Sequence, residues 1–147
     1  ADSAPRFRES WANQRCLLPA NGFYEWYQDG VTKQPYYIYP AEPQLMYFAG
    51  LWFAPTHEGA PATCVILTTE AQPAIREIHD RVPLMLPASA RADWLGNQLN
   101  KAQARELAAS LILEKHTVSR RVNNVLNKDS RLIAATSPLV DDQMMLF

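Results

Sequence analysis

Apolar and polar positions alternate most clearly over residues 23–28, where Phe23, Glu25 and Tyr27 fall on one face of a strand and Tyr24 and Trp26 on the other. Asn21-Gly22 marks a turn or bulge before this strand, and 15–18 reads as another strand ahead of it. Asp29-Gly30 is a hairpin signal leading into an aromatic strand over 36–39. A further strand spans 46–53, with Gly50 at a bulge or close approach. After a polar loop at 56–61, residues 63–68 have the composition of a buried strand. One or two helical turns then run to residue 78, and 82–86 is a short apolar strand holding Pro83.

Helical spacing occurs in three places. Phe7 and Trp11 lie four apart in a short helix within 1–13, and amphipathic helices are predicted over 89–95 and 101–113. Gly96 closes the first of that pair. Residues 116–119 resume as a strand, 120–127 are polar and asparagine-rich, and 141–147 form a tail that either packs or frays. Antiparallel strands with helices inserted late predict an α+β fold, mostly antiparallel, around a curled or barrel-like sheet core. At 147 residues the chain is read as a single domain, 1–147.

Composition narrows the classes. Hydrophobic residues make up 48% and charged residues 20%, which excludes a disordered chain. A formal net charge of -1 gives no global basic field, so any nucleic-acid surface must be a local cluster. Cys16 and Cys64 both lie in apolar runs and read as two buried free thiols, which suits a cytoplasmic protein. The sequence holds no signal peptide and no long apolar span. His57, His79 and His116 are isolated from other metal-ligating types, so no metal site and no cofactor is expected, and no glycine-rich phosphate loop is present.

The candidate chemistry centres on Glu25. A carboxylate sharing a strand face with aromatic rings is costly unless paired, hydrogen-bonded or neutral, and such a setting raises its proton affinity. The competing reading is an edge-strand glutamate that reaches water. His79, in Ile78-His79-Asp80-Arg81, titrates near neutrality, and Arg81 can fork onto a phosphate. A Glu and a His from separate strands facing one cleft make a proton-transfer pair, against the simpler reading of a surface loop with an ordinary His–Asp contact. Trp26, Tyr24, Tyr27 and Trp52 offer rings on which an unpaired base can stack, although most such rings fill cores.

Three ordered segments carry a resemblance: Arg15-Cys16-Leu17-Leu18-Pro19-Ala20-Asn21-Gly22-Phe23-Tyr24-Glu25-Trp26, then Ile78-His79-Asp80-Arg81-Val82-Pro83-Leu84, then Val118-Ser119 with Val122-Asn123 and Asn127. In this order and spacing they resemble the SOS response-associated peptidase (SRAP) family. The resemblance implies a protein of the DNA damage response that shields abasic sites in single-stranded DNA. There, a cysteine at the mature N-terminus attacks the ring-opened sugar aldehyde, and its amine and thiol close a thiazolidine crosslink. Glu25 and His79 match the assisting residues, Glu25 moving protons at the amine and His79 helping to open the sugar. Trp26 matches a residue beside the DNA, and Arg81 one that holds the phosphate flanking the lesion.

The sequence also departs from the family pattern. Members begin Met-Cys-Gly-Arg and continue through a sizeable N-terminal portion ending in Asn-Ala-Arg-x-Glu-Thr, whereas this sequence begins at Ala1, about where that motif would end. The expectation is therefore the C-terminal portion of an SRAP-like domain. It would lack the nucleophilic cysteine and form no crosslink alone, with a separate chain as one source of the missing portion. Two alternatives remain open: a cysteine-type autopeptidase activity in the same pocket, and a non-catalytic single-strand-binding remnant using Trp26 and the arginines.

Overall fold

The computed structural model of the chain describes residues 5–139. Two main antiparallel sheets and a layer of helices form the α+β architecture that the pattern predicts. The first helix, α1 (Pro5–Asn13), carries Phe7 and Trp11 on its apolar stripe. The Phe7 ring meets Phe53 edge-on at 5.9 Å, and Trp11 meets Trp94 at 5.8 Å.

Strand β4 (Met46–Phe53) is the centre of the first sheet. β1 (Arg15–Ala20) pairs along one edge of it. β5 (Thr63–Ile66) and β8 (Met85–Pro87) share the other edge, against residues 50–53 and 46–48 respectively. Ala49 is the fork between these two. Its carbonyl accepts the Leu67 amide at 2.9 Å, and its amide donates to the Leu84 carbonyl at 2.8 Å. From this fork a two-stranded ribbon leaves the sheet, β6 (Thr68–Glu70) paired with β7 (Arg81–Pro83), with α2 (Pro73–Arg76) at its far end. The single strands expected over 63–68 and 82–86 are thus two strands each, broken at Leu67 and Leu84 where the chain changes partners.

The second sheet has the order β2 (Phe23–Gln28), β3 (Lys33–Pro40), β9 (Leu113–Thr117). The Asp29-Gly30 turn forms as predicted. Gly30 takes φ 97°, and the Asp29 carboxylate accepts the amides of Val31 and Thr32 at 3.1 and 2.8 Å. Those two amide bonds hold the Asp29 carboxyl below its usual range.

Helices α3 (Arg91–Leu95) and α4 (Lys101–Ser110) complete the layer. Asn100 caps α4 in a reciprocal pair: its side chain accepts the Gln103 amide at 2.9 Å, and Gln103 accepts the Asn100 amide at 3.0 Å. α4 stops at Ser110, short of the expected residue 113. Leu111 and Leu113 are buried while Ile112 between them is 75% exposed, a period of two that belongs to the entry into β9.

Two apolar clusters follow from this layering. Ile38, Met46, Phe48, Ile75, Ile78 and Val82 pack together with Phe23, Tyr27 and Tyr36 against them. The second cluster gathers Trp94, Leu84, Leu86, Ala104 and Ala108, with Trp11 and Leu17 packed on it. The small residues Ala104 and Ala108 allow α4 to approach β8 closely.

The expectation of a buried strand over 63–68 is corrected. β5 is exposed throughout, with Val65 and Ile66 at 38% and 40%, because it forms an edge whose outer side has no strand partner among the described residues. The two buried thiols are corrected with it: Cys64 is exposed on that edge and Cys16 is half-buried. Burial, with a smaller contribution from Cys64, pushes the Cys16 thiol up. Among the described residues no helix is long and apolar enough to cross a membrane.

Gly50 marks a close approach, as predicted. A methyl group there would lie 2.7 Å from the Val65 carbonyl oxygen and 3.1 Å from the Cys16 sulfur. Gly50→Ala is expected to lower unfolding free energy by about 1–3 kcal/mol, the usual range for overpacking. Because the clash is with backbone, β5 should be displaced first. Amide exchange at Val65 and Ile66 should speed up more than exchange in β2 and β3. Equal protection in mutant and parent would refute this account.

Candidate functional site

Glu25 sits in mid-β2, opposite Tyr36 of β3. Phe23 and Tyr27, its neighbours on the same strand face, pack onto the first apolar cluster, so Glu25 faces the same side. The residue is half-buried. Its Oε1 accepts the Trp26 amide at 3.1 Å, and no cation pairs with it among the described residues. This agrees with the alternation predicted for the strand and places the carboxylate among rings without a counter-ion.

His79 lies in the turn between α2 and β7. Its Nδ1 is 3.0 Å from the Arg81 amide nitrogen, 2.9 Å from the Arg81 carbonyl oxygen and 3.5 Å from Asp80 Oδ1. One donor and two acceptors thus face the same ring nitrogen. Nε2 has no hydrogen bond among the described residues. The side chain is 47% exposed. Glu25 and His79 are not hydrogen-bonded to each other. They stand around one cluster, since Ile78 and Val82, on either side of the His79 turn, join Phe23 and Tyr27 in the same packing.

Arg81 reaches across the ribbon to Thr68. Its Nη2 donates to the Thr68 carbonyl at 2.8 Å and to Thr68 Oγ1 at 3.1 Å, with Nε 3.3 Å from the same hydroxyl. These bonds orient the guanidinium and leave Nη1 without a partner among the described residues. A fork anchored on one side and open on the other suits a phosphate or carboxylate.

Trp26 is on the opposite face of β2 from Glu25. Its Nε1 donates to Asn123 Oδ1 at 2.8 Å, and the Lys33 ammonium lies 5.9 Å from its ring. Asn123 ends a short 3₁₀ turn, Arg120–Asn123, that the sequence itself braces. Ser119 caps it by accepting the Arg121 amide, Asn127 Nδ2 donates to the Arg121 carbonyl at 2.8 Å, and Arg121 pairs with Asp129. The third motif therefore serves to hold an indole of the first. Sequence alone does not mark Thr68 and Asn123, which position Arg81 and Trp26, as site residues. The only signal for Asn123 is its place in the third motif.

Beside Trp26, the same sheet face carries a row of rings. Tyr24 is 5.6 Å from Tyr37, Tyr37 stacks on Tyr39 at 5.4 Å, and His116 lies 5.2 Å from Tyr39. A side chain at Gly22 would start 2.4 Å from the Tyr37 ring and displace it from this row. His116 Nε2 is 2.6 Å from the Ile133 carbonyl, which ties the segment after β9 to this face. Burial pushes the phenols of Tyr24 and Tyr37 up. Among the described residues no group of three or more His, Cys, Asp or Glu could hold a metal ion.

A two-sheet α+β domain with these three motifs brought into contact defines a class. The family model described as SOS response associated peptidase (SRAP) matches residues 1–125. The chain belongs to the SRAP family. It is 34% identical over 139 residues to the abasic site processing protein YedK of Escherichia coli, covering 90% of this chain and 63% of that one. Against the abasic site processing protein YoaM of Bacillus subtilis it is 36% identical over 141 residues, covering 89% of this chain and 61% of that one. The chain thus spans about three fifths of the length of these curated relatives. A crystal structure of a protein from Bacteroides thetaiotaomicron superposes with a TM-score of 0.77 at 24% identity, over 92% of this chain and 62% of that one, and bears on the fold alone.

Proposed function

We propose that this chain binds single-stranded DNA at abasic sites and supplies the binding and proton-transfer wall of an abasic-site capture site. The observation that carries the reading is the 2.8 Å bond from Trp26 to Asn123. It joins the first and third motifs across 97 residues at an exposed position, where no core demands it. An indole fixed edge-on by a braced turn is a stacking surface held ready for a base. Arg81, anchored on Thr68, receives the phosphate beside the lesion.

In this reading His79 delivers a proton through Nε2 to the sugar ring oxygen as the C1′–O4′ bond breaks, and the C1′ hydroxyl gives its proton to water, which leaves the open-chain aldehyde. Glu25 accepts and returns protons at the attacking amine. Thiazolidine formation requires an amine and a thiol on the same cysteine. Cys16 and Cys64 have their nitrogens inside strands β1 and β5, so neither offers that pair. The chain alone therefore binds without crosslinking.

Fluorescence anisotropy with a labelled single strand carrying an abasic site tests this. Affinity should fall steeply between about 50 and about 200 mM salt and should exceed that for duplex of the same sequence. No complex should survive denaturing electrophoresis. Absence of binding even at about 50 mM salt would sink the proposal.

A further inference from the structure

The face of the second sheet that points away from Glu25 ends in an open slot. A cavity of about 350 Å³ lies at the Tyr39 end of the ring row, and its lining includes Asn21, Tyr37, Tyr39, Pro40, Pro43 and Gln44. None of the side chains that line it is charged. Tyr37 and Tyr39, two apart on β3, stand 5.4 Å from each other with their planes 20° from parallel, so they form a short aromatic ridge. The hydroxyl end of Tyr37 lies over Gly22, and the His116 ring backs Tyr39 at 5.2 Å.

The rim adds three kinds of contact. Asn21 and Gln44 are exposed, and their side-chain amides make no hydrogen bond among the described residues. Ile112, 75% exposed, lies beside the slot, because its carbonyl accepts the amide of Ala41, which also lines it. Glu114 is the register partner of Tyr39 and so shares its sheet face. It is exposed and, like the exposed Glu42 next to Ala41, has no ion pair among the described residues. Lys115 belongs to the opposite face, in register with Ile38.

These features select an occupant. The slot lies on a sheet face, so it offers an incoming strand no row of free backbone groups. What fits is a ligand that packs rigid apolar groups on rings, presents acceptors to free amides and carries positive charge. A polyproline II segment meets the first two conditions. Its proline rings pack on aromatic grooves, and its carbonyls are free because the helix has no internal hydrogen bonds.

We propose that this slot binds a proline-rich segment of a partner protein. Prolines pack on the Tyr37–Tyr39 ridge, Asn21 and Gln44 donate to the segment's carbonyls, and Glu114 takes an adjoining lysine or arginine. A nucleobase would also stack on these rings, but its phosphates would meet Glu114 and Glu42, whereas Lys33 lies at the Trp26 end of the face. The proposal does not depend on the DNA reading above.

The test is an NMR titration of the whole chain with a hexaproline peptide flanked by arginines. The side-chain amide signals of Asn21 and Gln44 and the backbone signals of Tyr37 and Tyr39 should shift together and saturate. An arginine-flanked glycine–serine peptide of equal charge should not saturate them. Tyr39→Ala should lower affinity at least about tenfold, the loss expected of a central aromatic anchor. Glu114→Gln should weaken the arginine peptide about 1.4-fold to fivefold and leave an uncharged proline peptide unaffected. If Tyr39→Ala unfolds, the surface pair Asn21→Ala/Gln44→Ala carries the same test, with an expected loss of about fivefold or more. No saturable shift, shifts centred on another surface, or equal binding of the glycine–serine peptide overturns the proposal. So does a single-stranded oligonucleotide that moves these signals at lower concentration than the peptide, which would assign the slot to bases. A chain that binds the peptide but no DNA sinks the DNA reading alone.

Discussion

Arg15→Ala is expected to lower the unfolding free energy by about 3–4 kcal/mol, measured by urea or thermal unfolding. Arg15 is 9% exposed and, among the described residues, has no carboxylate beside it; its partners there are three carbonyls. Nε donates to Trp11 at 2.9 Å, and Nη1 donates to Leu99 at 2.8 Å with Trp94 at 3.5 Å. One side chain from β1 thereby satisfies the end of α1 and the segment running from α3 to α4. Its guanidinium also lies 4.7 Å from the Trp11 ring and 4.4 Å from the Trp94 ring, filling the space between two indoles that meet edge-on. Burial pulls its pKa down without threatening the charge.

Truncation removes the packing together with two short charge-assisted bonds, each contributing roughly 1.5–3 kcal/mol, and water can restore only part of this. Arg15→Lys keeps a charge but not the planar fork and should recover less than about half of the loss. A change under about 1 kcal/mol in Arg15→Ala would show that the helical layer is held by other contacts.

Trp26→Ala carries the second large effect, on binding and not on stability. Removing a stacked ring costs about 1–3 kcal/mol per base, which is roughly a fivefold to 150-fold loss of affinity for the abasic strand. Stability should change little, because the ring's one hydrogen bond is at the surface. Trp26→Phe separates the two roles of the side chain. It keeps a stacking face but releases Asn123, so most of the affinity should return while the 120–123 turn loses amide protection. Full affinity in Trp26→Ala, measured by anisotropy at fixed salt, would place the DNA elsewhere on the molecule.

Local pattern made much of this fold legible. Alternation over 23–28 put Phe23 and Tyr27 on one face and Trp26 on the other, and Asp29-Gly30 marked its hairpin because left-handed backbone there suits glycine. Pattern failed where the controlling partner is distant. Nothing near residues 63–66 reveals that β4 offers them only an edge, so an apolar run that reads as core is half exposed. The burial of Arg15 depends on a carbonyl 84 residues away. Leu107 and Leu111 fall four apart, the spacing of a helical stripe, although Leu111 and Leu113 already follow the alternation of β9. At the candidate site, the supports were not legible: Thr68 and Asn123 take their positioning roles only from the bonds they make with Arg81 and Trp26.

The fork at Ala49 also sets how far the site can reach. Both strands of the β6–β7 ribbon leave the sheet at one residue, but Ala71, Ile75, Ile78 and Val82 at its outer end are buried in the first apolar cluster, so ribbon length is tied to the layers behind it. Two extra residues in each strand would carry His79 and Arg81 about 7 Å outward with their facing kept, whereas one extra residue in each would turn them over. The reach of His79 and Arg81 is thus set by the core itself, since either lengthening would pull Ile78 and Val82 out of the cluster they share with Phe23 and Tyr27.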